Sequence, residues 1–374
     1  MKLAILSHTE HYLAGDQIVG WGPTVREINH LLEVFEEIWH VAVLLPGEAP
    51  ASSLPYLSDR IHFVPIKPSG GPNWRDKLHA LWQMPGVLNT VRQTLRQVDC
   101  FQFRAPTGMG NVLLPYLSLC CKKPGWFKYA GNWKQQPAPP GYRWQRWWLT
   151  YGQGRPVTMN GYWPDQAPHL HSFENPCLTE QEWEIAQERV QNKHFSAGLT
   201  LCFVGTLTAN KGGRQLLKAL LLMDNPDFEE ILIAGDGPLR PELEALSLRS
   251  SLPVRFLGFQ NREQLNEIYA RSHFIALPSE NEGFPKVIAE AAAYGCIPIV
   301  TDVSSIGQYV MEGKNGFLLP DNTVHSIRQK LETIREYPLD LLPMSQNARQ
   351  MARLFTYERY LQRISSELIP QLKS

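Results

Sequence analysis

In the stretch SENEGFPKVIAEAAAYGCIPIVT, Ser279 to Thr301, Glu282 and Glu290 stand eight positions apart astride Gly283 and Pro285. Carboxylates accept hydrogen bonds from paired hydroxyls, so two of them around one turn suit a polyol such as a sugar. Gly283 admits close backbone approach to a ligand. Pro285 suits the first position of a helix, where its missing N–H would have had no partner. Glu282 then falls in a loop, with Glu290 about one and a half turns inside the helix. The N–H groups of Gly283, Phe284 and Lys286 at the helix start favour an anion such as a diphosphate. Ala289, Ala291, Ala292 and Ala293 let that helix pack tightly on a sheet. The bland alternative is a solvated loop residue and a solvated helix face, and a pair of glutamates alone does not decide between the two.

Other chemistry-bearing residues sit in comparable places. Lys211 lies in FVGTLTANKGG, which is not a Walker A loop: the lysine precedes the glycines and no Ser or Thr follows it. Arg104 ends the run CFQFRA, at the carboxyl end of an expected strand, where ligand contact and a structural salt bridge are both open. GWGPTV around Gly22 lacks the third glycine of a dinucleotide fingerprint and does not directly follow its strand.

These residues need elements to hold them. In the first half, KLAIL, HVAVLL, IHFVPI, CFQFRA and WFKYAG read as strands; in the second, LTLCFVG, ILIAG, VRFLG, FIALPS and IPIV do. Amphipathic stretches such as GRQLLKALLLM, PLRPELEALSL and REQLNEIYARS alternate with the second set. Strands alternating with helices imply parallel sheets covered on both faces. Two doubly wound domains facing one another is the simplest architecture, with ligands beyond the carboxyl ends of the strands.

Bulk properties agree. A chain of 374 residues favours two cores. All eleven tryptophans lie between Trp21 and Trp183, so the halves differ in composition. NPCLTEQEWEIAQERV marks the seam: Thr179 can cap a helix and Glu182 completes a capping box. The expected domains are 1–178 and 179–350, with 351–374 forming a final helix. Lys and Arg together equal Asp and Glu together at 36 each, which argues against a nucleic-acid partner held by its phosphates. Six cysteines without CxxC spacing fit reduced, buried thiols. The apolar start MKLAILSHTE is short for a signal peptide, and no apolar run reaches bilayer length, so a cytoplasmic location is expected.

EGFPKVIAEAAAYGCIPIVT resembles the E-x7-E signature of the GT-B fold glycosyltransferases of family 4. FVGTLTANKGG, LIAGDGPLRPELEAL, VRFLGFQNREQLNEIYARSHFIALPSE and GQYVMEGKNGFLLP follow in that family's order. In the first half the resemblance rests on GWGPTVREINHLLEVFEEIWHVAVL. It implies α/β architecture, two Rossmann-like domains facing a central cleft, and a retaining, metal-independent transfer from a nucleotide-sugar to a glycan, lipid-linked glycan or small acceptor in polysaccharide or glycoconjugate biosynthesis. Glu282 matches the family residue that contacts the donor sugar, Glu290 the one on the ribose, and Lys211 the one neutralising the diphosphate. Gly22 matches a glycine of the first-domain loop, while Gly283, Phe284 and Pro285 lie along the expected donor site. No cofactor is implied beyond the nucleotide-sugar co-substrate, and the chain has no Asp-x-Asp.

The chain also departs from the pattern. Thr206 stands where the family usually has an arginine, which Arg214 or Arg104 could replace. The usual first-domain histidine is absent from KKPGWFKYAGNW, where Asn132 could supply a hydrogen bond to the sugar but not act as a base. A silent nucleotide-sugar binding protein and a sugar-nucleotide epimerase are the alternatives. In GYRWQRWWLTYGQGR, Trp144, Trp147, Trp148 and Tyr151 recur at helical spacing beside Arg143 and Arg146; both core packing and peripheral membrane contact fit. TYERYLQRISSELIPQL reads as an amphipathic helix capped by Thr356, which the resemblance sends back to the first domain.

Overall fold

Apolar runs bounded by glycine and proline become strands in both halves of the chain. The structure, a computed structural model, describes residues 1–68, 74–195, 198–223, 227–336 and 340–373. The chain divides into two units, Met1–Glu174 with Tyr357–Ser374, and Asn175–Thr356.

The first unit holds β1 (Lys2–Ala14), β2 (Gln17–Trp21), β3 (Glu37–Leu44), β4 (Ser53–Pro55), β5 (Ile61–Ile66), β6 (Cys100–Ala105), β7 (Gly125–Tyr129), β8 (Val157–Met159) and β9 (Leu170–Ser172). Seven strands run parallel in the order β5-β3-β1-β6-β7-β8-β9. The far half of β1 folds back on β2 in an antiparallel hairpin, with Ala14 opposite Gln17, and β4 adds antiparallel to β2. The sheet is therefore not wholly parallel, as the alternation of strands and helices had implied. The pairing of β1 with β3 shifts register between Leu6 and Glu10, where the strand passes from the parallel sheet into the hairpin.

Residues 357–374 belong to this unit. Tyr360, Leu361, Ile364, Leu368 and Leu372 join Leu3, Ile5, Ile28, Leu31 and Phe35 in one apolar cluster. His30 stacks on Tyr357 with ring centroids 4.0 Å apart. The segment is helical over Tyr357–Arg363 and Ile369–Lys373, with a wider π turn at Ile364–Leu368 between them. Thr356 donates its hydroxyl to Glu180 at 3.1 Å within the second unit.

The second unit holds β10 (Leu199–Val204), β11 (Phe228–Ala234), β12 (Val254–Gly258), β13 (Phe274–Leu277), β14 (Ile297–Thr301) and β15 (Phe317–Leu319). All six are parallel, in the order β12-β11-β10-β13-β14-β15. The strands at its centre are buried on both faces, which explains their unbroken apolar runs. The helices read from GRQLLKALLLM, PLRPELEALSL and REQLNEIYARS are present at Gly213–Leu221, Arg240–Ser247 and Arg262–Arg271. Ala289, Ala291 and Ala292 are fully buried, and Ala293 nearly so, which lets the Lys286–Ala293 helix lie close against the core. In this strand order the chain reverses direction across the sheet between β10 and β13, and such a switch point opens a crevice at the carboxyl ends of the strands.

Candidate functional site

The two loops that flank the switch point carry opposite charges. After β10 the chain makes a short 3-10 turn, Ala209–Lys211, and then enters the Gly213–Leu221 helix. After β13 it runs through Ser279–Gly283 into the Lys286–Ala293 helix. The Glu280 N–H donates to the Asn210 carbonyl at 2.9 Å, tying the loops together. Gly212 sits at φ +76 with its α-carbon against the Pro278 carbonyl, and a Cβ there would come within 2.0 Å of that oxygen. Only glycine meets both demands.

Across this junction Lys211 Nζ forms an ion pair with Glu282 Oε1; the two side chains are 25% and 12% exposed. From the other side, Ser305 Oγ donates to the Gly283 carbonyl at 3.1 Å. Pro285 is the cap residue of the helix, in extended conformation, rather than its first helical residue, so the helix begins at Lys286. Phe284 turns its ring into the core, stacked on Phe355 at 4.2 Å and edge-on to Tyr309 at 5.2 Å. Its backbone, not its side chain, is what a ligand at the helix start could use. The first N–H groups of that helix lack intrahelical acceptors and carry the positive end of its dipole.

Glu290 lies on the same helix and is met by Arg262. Arg262 Nη1 is 3.3 Å from Glu290 Oε1, while its Nε and Nη2 hold the two oxygens of Glu182 at 2.8 and 3.0 Å. Nη2 also donates to the Cys177 carbonyl at 3.0 Å. Burial opposes the guanidinium charge, but Glu290 and Glu182 outweigh it and hold Arg262 above its ordinary pKa. Glu182 is fixed by the capping box read from the sequence: its N–H donates to Thr179 Oγ1 at 3.1 Å, and its carboxylate accepts from the Thr179 N–H at 2.8 Å. Arg262 was not singled out by sequence. A signal was available, because it opens a helix, where the dipole disfavours a cation unless carboxylates compensate.

Thr206 is exposed in the segment after β10 that leads to Lys211. Arg214, proposed to compensate for it, pairs with Glu242. The remaining expected site residues belong to the first unit. Gly22 opens the Gly22–Leu31 helix, and its N–H donates to the Ser52 carbonyl at 3.0 Å. Asn132 follows β7, and its side-chain oxygen accepts the Lys134 N–H at 2.9 Å. Arg104 takes the structural alternative: it is buried, with Nη2 3.0 Å from Glu27 and Nε 2.8 Å from Gln102. Glu27 Oε1 also accepts from Lys128 at 2.6 Å and from the Tyr360 hydroxyl at 3.0 Å, so the charge of Arg104 serves a buried network.

On the Pro140–Tyr151 helix, Trp144 and Trp148 pack against the first unit's core. Trp147 and Tyr151 face outward, 54% and 76% exposed, in line with exposed Arg143. Among the described residues no helix is long and apolar enough to cross a membrane, and no group of three or more His, Cys, Asp or Glu is placed to hold a metal ion.

Residues 184–351 match the family described as Glycosyl transferases group 1. The D-inositol 3-phosphate glycosyltransferase of Corynebacterium glutamicum is 29% identical over 175 residues, 44% of this chain and 42% of that protein. The chain thus spans less than half the length of the curated relatives it matches. Among solved structures, sucrose-phosphate synthase from Thermosynechococcus elongatus superposes with a TM-score of 0.74 at 16% identity, covering 100% of this chain and 99% of that one. Anabaena HepE in complex with UDP gives 0.70 at 16% identity, covering 98% and 99%. At such identity the likeness speaks for the fold.

Proposed function

We propose that this chain, a GT-B fold protein whose second unit is of the group 1 glycosyltransferase type, transfers a sugar from a nucleotide-sugar to a glycan, lipid-linked or small-molecule acceptor with retention of anomeric configuration. The observation that carries the reading is the pairing of Lys211 with Glu282 across the β10–β13 switch point. A diphosphate lying there meets one ammonium and the N–H groups at the head of the Lys286–Ala293 helix, and both stabilise charge on the leaving group. Glu282 accepts from hydroxyls of the donor sugar, and Glu290, held by Arg262, accepts from those of the ribose. The UDP bound by HepE supports a nucleotide in this role.

In this scheme no metal takes part, and the departing phosphate receives the acceptor's proton on the face of the sugar that it leaves. Asn132 contributes a hydrogen bond rather than a base. Arg143, Trp147 and Tyr151 recur four residues apart and form one exposed stripe, basic and aromatic, suited to a membrane surface that presents a lipid-linked acceptor. The setting is the cytoplasmic face, in polysaccharide or glycoconjugate biosynthesis.

The test is a transfer assay with UDP-, GDP- and ADP-linked sugars against a panel of acceptors, with NMR reading the configuration of the new bond. Transfer with retention, lost in Lys211→Met, supports the reading. Absence of both transfer and donor hydrolysis across the panel overturns it, and a donor whose sugar changes configuration without an acceptor indicates an epimerase.

A further inference from the structure

We infer that Glu282 is a built-in competitor for the diphosphate at Lys211, so that the second unit prefers an intact nucleotide-sugar to the nucleoside diphosphate left after transfer. The inference rests on the site reading above and adds a selection between substrate and product to it.

Residues 205–213, GTLTANKGG, contain a single cation, Lys211, and Thr206 adds no charge. That one ammonium has two anionic claimants. In the structure Glu282 holds it, and the pair is mostly shielded from water. The ammonium has three N–H donors, and a diphosphate that draws on it competes with the carboxylate for its charge.

The backbone on both sides does not need to move for this exchange. The Glu280 N–H to Asn210 carbonyl bond and the contact of Gly212 with the Pro278 carbonyl fix the two loops to each other independently of the side chains. Ser305 fixes Gly283 from the opposite side. The ion pair can therefore open and close by side-chain rotation on a fixed frame.

What becomes of Glu282 once displaced depends on what is bound. An intact donor offers it sugar hydroxyls, so the lost ion pair is replaced by hydrogen bonds to a carboxylate, which are strong. After transfer those hydroxyls leave with the product. Glu282 then lies beside a diphosphate with no donor to accept from, and like-charge repulsion favours return of the carboxylate to Lys211. The same residue that recognises the sugar thus weakens the hold on the spent nucleotide.

The experiment is calorimetric titration of inorganic pyrophosphate, UDP, GDP and ADP into the native protein, Glu282→Gln and Glu282→Ser. Both variants remove the negative charge that faces Lys211, and Ser also shortens the side chain, so a folding defect in one leaves the other informative. The expected result is pyrophosphate binding about fivefold tighter in each variant than in the native protein, the scale of a partly exposed ion pair. Adding Lys211→Met must abolish the gain. Unchanged or weaker pyrophosphate binding in the variants overturns the inference, as does a gain that survives Lys211→Met. If the gain is found while no donor is ever turned over, the competition stands and the transferase reading falls instead.

Discussion

Arg262 bridges Glu290 and Glu182, with Nη1 3.3 Å from the first carboxylate and Nε 2.8 Å from the second. The three residues come from three helices, at Arg262–Arg271, Lys286–Ala293 and Glu180–Arg189. Because Glu182 is itself held in a capping box, the guanidinium is anchored at its far side and presents a fixed fork to Glu290. Orientation of the proposed ribose acceptor therefore depends on Arg262 and, through it, on Glu182.

Replacing Arg262 by Gln should raise the KM for the nucleotide-sugar about three- to tenfold and leave kcat within about twofold, since the partly exposed pair tunes binding more than chemistry. Steady-state kinetics checks this, and an equal fall in kcat with no change in KM contradicts the positioning role.

Glu290→Ala tests the group that Arg262 positions. A nucleoside diphosphate at one hundred times its dissociation constant stabilises a protein by about 2.7 kcal/mol. A thermal-shift panel of UDP, GDP and ADP should show one nucleotide that shifts the native protein and fails to shift the variant. Inorganic pyrophosphate, which has no ribose, should shift both alike.

Thr179→Ala should cost about 1 kcal/mol in urea unfolding of the second unit, the usual worth of a helix N-cap. Glu182→Ala should cost more, because its carboxylate serves both the Thr179 N–H and Arg262. Combining Glu182→Ala with Arg262→Gln should fall short of additivity, as expected for residues in one network.

The elements and the capping box were legible because each leaves a local pattern. The ten strands expected from apolar runs are present. The β1–β2 hairpin also leaves a local signal: Gly15 and Asp16 form the kind of two-residue connection that joins paired strands. Strands β8, β9 and β15 span three residues each, too few to display an alternation. Long-range pairing was not legible. Arg104 lies near the carboxyl end of its strand as expected, but its partner Glu27 lies 77 residues away, and no spacing announced it. The link between Arg262 and Glu290 likewise depends on how two helices converge. Charges seen in sequence thus gave candidates, and only packing divided those that hold the fold from those left facing the crevice.

Glu27→Leu should destabilise the first unit by about 3–5 kcal/mol, because it removes the oxygen shared by Arg104, Lys128 and Tyr360 and leaves buried cations short of an anion. Tyr360→Phe should cost less, about 1.5–3 kcal/mol, because it removes a hydroxyl that donates to the Glu27 carboxylate and accepts from Lys128 at 3.4 Å but leaves the charges paired. Since Tyr360 belongs to the final helical segment, limited proteolysis should find residues 357–374 more accessible in Glu27→Leu than in the native protein.

The first unit should lose stability between pH 6.5 and about 4 through a chain of hydrogen bonds around Tyr56. His11 Nδ1 lies 3.0 Å from the Thr9 carbonyl, which can only accept, so that nitrogen carries the proton and Nε2 accepts from the Tyr56 hydroxyl at 2.7 Å. Tyr56 oxygen in turn accepts from His40 Nδ1 at 2.6 Å, and His40 Nε2 lies 2.7 Å from Ser7 Oγ, which is itself 3.0 Å from Thr9 Oγ1. With both rings neutral the Tyr56 hydroxyl donates to one ring and accepts from the other, and a second proton on His11 would set its Nε2–H against the Tyr56 hydroxyl proton. Burial lowers the pKa of His11 to about 4 and pushes that of His40 well below its ordinary value. The unfolded chain binds these protons near pH 6.5 while the folded chain refuses them, so the contribution is complete above pH 6.5 and is lost as the pH falls toward the folded values. For His11 alone the loss is roughly 3 kcal/mol. Urea unfolding at pH 7.5, 6 and 5 should show this decline, and His11→Gln, which takes no proton, should flatten it; an equal slope in the variant would place the acid sensitivity elsewhere.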